Sequence, residues 1–206
     1  MNHGFDERSI EEAAKLITRG GVIAFRTDTF YGLGADPFNR EAVRKIKQLK
    51  GREEQKPILI VISDRDQLER LIVDRAKAFD LLASRFWPGP LTLIGKAAPD
   101  VPEEITAGTG TVGVRLPGDD KVRALIRECG GALTATSANS ADKAPAKTAR
   151  EVSDYFGEAV ELIADGGPAR TDRPSTVIDV SEAAPRLIRE GVIEWAEIQS
   201  ALNQPT

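Results

Sequence analysis

The chain has 206 residues, 41% of them apolar and 29% charged, enough to bury a sizeable core and typical of globular rather than disordered or fibrous chains. A formal charge of -4 argues against a protein whose main task is gripping long nucleic acid by counterion release, although a local basic patch remains open. One cysteine excludes an intrachain disulfide, one histidine (His3) excludes Ser-His-Asp, Cys-His and His/Cys zinc chemistry, and no run approaches the ~20 apolar residues of a membrane span.

The first residues lack the apolar core and small-residue cleavage site of a leader, so a cytoplasmic location is expected, with His3 in a mobile terminus. Ser9-Ile10-Glu11-Glu12 carries the S-x-x-E signature and predicts a helix from about Ile10 until Gly20-Gly21 stops it. The short apolar run at 22–25 then reads as a strand buried on both faces. Ala42, Val43, Ile46 and Leu49 have helical spacing over 40–49, and the β-branched run at 58–62 is a strand. Helical patterns follow at 66–71 and 75–86, the second ended by Trp87-Pro88-Gly89-Pro90, whose prolines forbid continuation.

Residues 91–95 and 112–116 read as strands, and 121–128 as a helix stopped by Gly130-Gly131, with Cys129 as a small buried hydrophobe at its end. A strand at 132–136, a helix at 149–156, apolar runs at 160–164, 176–180 and 186–188, and a helix at 194–202 complete the pattern. With no repeat or long linker, the chain reads as one α/β domain over 1–206, core about 10–191, built on one open, mixed or parallel sheet. The polar stretches 100–110 and 140–147 are surface excursions.

There is no P-loop signature, and the G-x-G-x-x-G at Gly108, Gly110 and Gly113 runs into a strand and Pro117 instead of opening a helix, so it fails as a dinucleotide fingerprint. What remains is a set of polar clusters at strand ends, where open α/β sheets place ligands. Arg26-Thr27-Asp28-Thr29 follows the first strand; Lys50-Gly51-Arg52 and Lys56 precede the second; Arg115, Ser137-Ala138-Asn139, Ser175 and Arg189 lie at later strand edges. Cations with hydroxyl and amide donors, and no nucleophile-base pair, suit a ligand rich in anionic oxygens, phosphate above all.

Thr27-Asp28-Thr29-Phe30-Tyr31-Gly32-Leu33-Gly34, Lys50-Gly51-Arg52, Trp87-Pro88-Gly89-Pro90-Leu91-Thr92, Gly113-Val114-Arg115-Leu116-Pro117, Ser137-Ala138-Asn139, Ser175-Thr176-Val177-Ile178-Asp179 and Arg189-Glu190-Gly191 together resemble the YrdC-like family of threonylcarbamoyl-AMP synthases, of the short TsaC type. The resemblance implies a twisted α/β sheet around a concave, basic cleft. It also implies conversion of L-threonine, bicarbonate or CO2 and ATP to threonylcarbamoyl-AMP and pyrophosphate. Mg²⁺ would accompany ATP, and a separate transferase would consume the product in forming threonylcarbamoyladenosine in tRNA. Carried over, Thr29, Arg115, Ala135 and Ser175 hold threonine, while Arg52, Lys56, Thr111, Ser137, Asn139 and Arg189 hold ATP. Lys50, Arg52, Ser137 and Asn139 form the catalytic set, Lys50 neutralising charge.

The sequence departs from the family pattern at Arg26 and Glu53, where proline is common, at Lys56, often asparagine, and at Ala144, near a frequent serine. Val61 stands where longer relatives carry a histidine. Two alternatives stay open: an RNA-binding module using the same cleft, and a YciO-like or carbamoyl-transfer paralog with another acceptor.

Overall fold

The computed structural model describes residues 2–51, 56–140 and 143–203. In chain order the first half forms β1 (Asn2–Gly4), α1 (Glu7–Thr18), β2 (Ile23–Arg26), β3 (Tyr31–Gly34), α2 (Arg40–Leu49), β4 (Ile60–Ile62), a 3-10 turn at Arg65–Arg70, β5 (Ile72–Val73) and α3 (Lys77–Phe86). The second half forms β6 (Leu91–Ala97), the short α4 (Glu103–Thr106), β7 (Thr111–Arg115), α5 (Asp120–Glu128), β8 (Ala132–Thr134), β9 (Thr136–Ser137), α6 (Ala149–Phe156), β10 (Leu162–Asp165), β11 (Thr176–Asp179), β12 (Arg186–Arg189) and α7 (Trp195–Asn203). None of the described helices is long and apolar enough to cross a membrane.

Side-chain caps decide where helices begin. Asn39 accepts from the Ala42 amide at the start of α2, Asp119 from Lys121 and Val122 at α5, and Thr148 from Glu151 at α6. At α1 the expectation needs correction. The cap is Asp6, whose carboxylate accepts from Ser9 N at 2.8 Å while Asp6 N donates to Ser9 Oγ at 3.2 Å. Aspartate caps as well as serine does, and starting one turn earlier lengthens the helix.

The single sheet expected from sequence is two mixed sheets. One runs β1-β10-β2-β3-β9, parallel across its first three strands and antiparallel at β3 and β9. The other runs β12-β11-β6-β7-β4-β8, with β5 pairing β6. His3, expected in an unstructured terminus, lies on a strand with its backbone in register with Ala164.

The run 132–136, read as one strand, is divided between the sheets: β8 pairs with β4 and β9 with β3. Between them Ala135 N donates to Leu59 O at 2.8 Å, and Thr134 N to Ala35 O at 2.9 Å. The Thr134 hydroxyl accepts from Ala35 N at 2.9 Å and donates to Leu33 O at 3.3 Å, so this joint leaves none of those buried groups unpaired. Here the chain passes from one sheet to the other, and a cavity lies against the joint.

Strand alternation sends neighbouring residues to opposite faces. Ala24, Leu33, Ile60 and Ile62 join the larger core with α2, α3, α6 and α7. Ile23, Phe25, Val61 and Leu133 join a second core beneath α1 and α5. Val61 is thus fully buried packing.

Candidate active site

A cavity of about 460 Å³ is lined by the β2–β3 turn, the approach to β4, the end of β7, the β8–β9 joint, the segment before β11 and the end of β12. The turn is built by Thr27. Its N–H donates to Phe30 O at 3.0 Å, its hydroxyl donates to the same oxygen at 2.8 Å, and Thr29 N donates to Thr27 Oγ1 at 3.1 Å. This local bonding competes with the ladder, reverses the chain and points Thr29 and Phe30 at the cavity.

Arg115, at the end of β7, has a side chain 4% exposed. Its Nη1 donates to Thr29 Oγ1 at 3.3 Å and lies 3.1 Å from Asp28 Oδ1. Across the cavity Arg189 donates from Nη2 to Ser175 O at 3.0 Å and to Ser175 Oγ at 3.1 Å, and the Ser175 hydroxyl in turn lies 3.0 Å from Thr92 Oγ1. Desolvation first, and then the charge of Arg115, hold Arg189 below the ordinary guanidinium range. Much of Arg189 is exposed, so the direction alone matters: two cations repel across one volume, and an anion between them relieves both.

Thr29, Arg115, Ala135, Ser137, Ser175 and Arg189 all line the cavity, so six of the sequence-derived residues meet there. Ala135 lines the cavity with its N–H already bound to Leu59 O. The Ser137 hydroxyl donates to Asn139 Oδ1 at 2.6 Å, and Asn139 Nδ2 donates to Lys143 O at 2.7 Å. Lys50 is 2% exposed, and its ammonium donates to Ser137 O, to Asn139 O at 2.9 Å and to Asn139 Oδ1 at 3.1 Å. Lys50 therefore props the Ser-x-Asn turn from behind. Lys56 is exposed beside Pro57, which lines the cavity. Thr111 is at the opposite end of β7 from Arg115, about 13 Å along the strand, with its hydroxyl 3.0 Å from Thr109 Oγ1. Arg52 and Glu53 lie outside the described residues.

Sequence reasoning passed over Tyr31 and Asp172. Tyr31 lines the floor with its hydroxyl shared between Asp165 Oδ1 and Gly167 O, both at 2.8 Å. Burial, then the bond to Asp165 and that carboxylate's charge, push the phenol well above its usual value, so it gives up no proton near neutrality. Asp172 is the acidic residue of the described lining, and an isolated aspartate in a polar loop leaves no sequence signal. Among the described residues no group of three or more His, Cys, Asp or Glu is placed to hold a metal ion.

A family model described as telomere recombination, Sua5/YciO/YrdC, matches residues 15–191. The chain belongs to the Sua5/YciO/YrdC family. The threonylcarbamoyl-AMP synthase of Pyrococcus abyssi is 39% identical over 199 residues, 97% of this chain. This chain spans 58% of the length of that relative, as it does of the Bacillus subtilis one. The threonylcarbamoyl-AMP synthase of Idiomarina loihiensis is 38% identical over 82% of this chain and 91% of its own length. The crystal structure of P. abyssi Sua5 complexed with L-threonine superposes with a TM-score of 0.93 at 39% identity, over 96% of this chain and 58% of that one. Escherichia coli YciO superposes at 0.83 with 27% identity, over 94% and 98%. The expected α/β architecture is thus that of the Sua5/YciO/YrdC family, with its sheet divided in two.

Proposed function

We propose that this chain is a threonylcarbamoyl-AMP synthase, an ATP-using nucleotidyl-transferring enzyme that joins L-threonine, bicarbonate or CO2 and ATP. The observation that carries the reading is the pair of guanidiniums, Arg115 and Arg189, facing one cavity whose other polar side chains are hydroxyl groups and a single carboxylate, Asp172. Such a wall binds carboxylate and phosphate oxygens, and among the described residues it holds no histidine, cysteine or lysine to serve as nucleophile or base. The names of the P. abyssi and I. loihiensis relatives agree with it.

In this reading Arg115 and the Thr29 hydroxyl receive the threonine carboxylate, with Ser175 and Ala135 flanking it. The threonine nitrogen bonds to the carbon of CO2 and loses a proton, giving a carbamate. A carbamate oxygen then bonds to the α-phosphorus of ATP as the bond to pyrophosphate breaks. Because the carbamate is itself the nucleophile, the enzyme contributes position and charge: Arg189 and Ser137, with Asn139 bonded to the Ser137 hydroxyl, would meet the phosphates, and Arg52 and Lys56 would add positive charge. Mg²⁺ arrives with ATP, held by phosphate and water, in keeping with a described lining that has one carboxylate, Asp172. The adenylate would pass to a cytoplasmic tRNA threonylcarbamoyl transferase.

The test is ATP-dependent pyrophosphate release with bicarbonate and a panel of amino acids, comparing the natural chain with Arg115→Ala. Release that needs threonine and collapses in the variant supports the synthase. Release with another acceptor favours a YciO-like activity, a reading given weight by the 0.83 superposition on YciO. Absence of ATP turnover combined with RNA binding that weakens steeply with salt would favour an RNA module.

A further inference from the structure

We propose that Asp28 is a positioning residue for Arg115, balancing the buried guanidinium so that a substrate carboxylate meets it already oriented. This rests on the reading of the cavity as a threonine site and adds to it a residue outside the lining. Arg115 and Asp28 side chains are 4% and 11% exposed, and Asp28 Oδ1 lies 3.1 Å from Arg115 Nη1. A cation that deep is costly to leave unpaired, so Arg115 requires a counter-charge from the protein itself.

The form of the contact matters. Among the described residues Asp28 Oδ1 accepts no hydrogen bond, so the pair is charge against charge without donor alignment. Nη1 instead directs its bond to Thr29 Oγ1 at 3.3 Å, and Nε is buried without an acceptor among the described residues. Asp28 thus neutralises the guanidinium without consuming the hydrogen bonds that would recognise a ligand.

The carboxylate is itself fixed at its other oxygen, where Oδ2 accepts from Gly118 N at 3.2 Å. Gly118 follows β7 by three residues and packs on Gly89, whose N–H donates to Leu116 O at 2.8 Å. A side chain on Gly118 would have its first carbon 3.6 Å from the Gly89 backbone and 3.8 Å from Asp28 Oδ2, a close but unstrained fit. The segment after β7, packed on Gly89 of the Trp87-Pro88-Gly89-Pro90 turn, thus holds the carboxylate of the β2–β3 turn, and that carboxylate faces Arg115.

The experiment compares Asp28→Asn and Asp28→Glu with the natural full chain, in steady-state pyrophosphate release and in NMR of the Arg115 guanidinium assigned with Arg115→Lys. The expected result for Asp28→Asn is a rise of about 10–100-fold in KM for threonine, with KM for ATP within about twofold, and substantial recovery in Asp28→Glu. The guanidinium nitrogens should be distinct in the natural chain and rotationally averaged in Asp28→Asn. An Asp28→Asn variant with unchanged or lower KM for threonine overturns the proposal, as does a parallel rise in both KM values, which would mark a purely structural role. If the natural chain shows no threonine-dependent release, the synthase reading fails while the NMR comparison still decides whether Asp28 orders Arg115.

Discussion

Replacing Asp119 with asparagine should destabilise the fold severely, although the shape hardly changes. Asp119 Oδ2 lies 2.7 Å from Arg26 Nη2, the two side chains being 5% and 4% exposed, and Arg170, 63% exposed, reaches the same oxygen at 3.1 Å. Its Oδ1 caps α5, accepting from Lys121 N at 3.0 Å and Val122 N at 3.5 Å. Asparagine caps as well as aspartate, so Asp119→Asn isolates the charge: Arg26 is left buried and uncompensated, at about 3–5 kcal/mol. Asp119→Ala should lose roughly 1 kcal/mol more with the cap. Arg26 Nε and Nη1 have no partner among the described residues, so the pair is imperfectly solvated even in the natural chain. Combining Arg26→Met with Asp119→Asn should therefore recover most of the loss, since an apolar replacement of a buried pair is often neutral or stabilising by about 1–4 kcal/mol.

Desolvation alone would raise the Asp119 carboxyl, but the hydrogen bond and charge of Arg26, the Lys121 amide and Arg170 outweigh it and hold the pKa below the usual value. A depressed folded pKa contributes stability that is complete above the unfolded carboxylate value of about 3.9 and fades as pH falls through the folded one. The natural chain should lose this contribution below about pH 4, and Asp119→Asn should lack that step. Equilibrium urea unfolding across pH measures both effects. A loss under about 1 kcal/mol in Asp119→Asn at pH 7 would refute the reasoning.

Lys50→Met removes the ammonium from three carbonyl oxygens behind the Ser-x-Asn turn, and pyrophosphate release should fall about 10²–10³-fold with the circular dichroism unchanged; full activity would refute the propping role. Thr134→Val leaves the buried Ala35 N–H without its acceptor, and chemical denaturation should show a loss of about 1–3 kcal/mol, whereas a neutral result would mean the sheet joint finds another acceptor. Burial first, and the neighbouring Glu128 second, push the Cys129 thiol up to about 12, so thiol reagents at pH 8 should label it in urea and leave the folded chain untouched.

Local chemistry made much of this protein legible in the residues themselves. The apolar spacing at Ala42, Val43, Ile46 and Leu49 and the stop at Gly130-Gly131 made α2 and α5 readable, because a helix closes its bonds within its own segment, whereas the caps at Asn39, Asp119 and Thr148 came with the structure. Short motifs around Arg115, Ser137 and Arg189 carried the family resemblance without any contact being known. Pairing across long separations is different, because a strand's hydrogen bonds belong to whichever distant segment wins them. Gly32 and Gly34 hid β3 by interrupting the apolar pattern, yet a side chain at Gly34 would bring its first carbon to 2.7 Å from the Phe25 ring. The run 132–136 looks continuous, but Leu59 takes the Ala135 amide and divides it between two sheets. That division shapes the cavity against which Arg115 and Arg189 converge, and it turns Lys50 toward the Ser-x-Asn backbone while Thr111 stays a strand's length away. Residue type announced an anion site; only the competition among distant backbone partners decided which side chains face it.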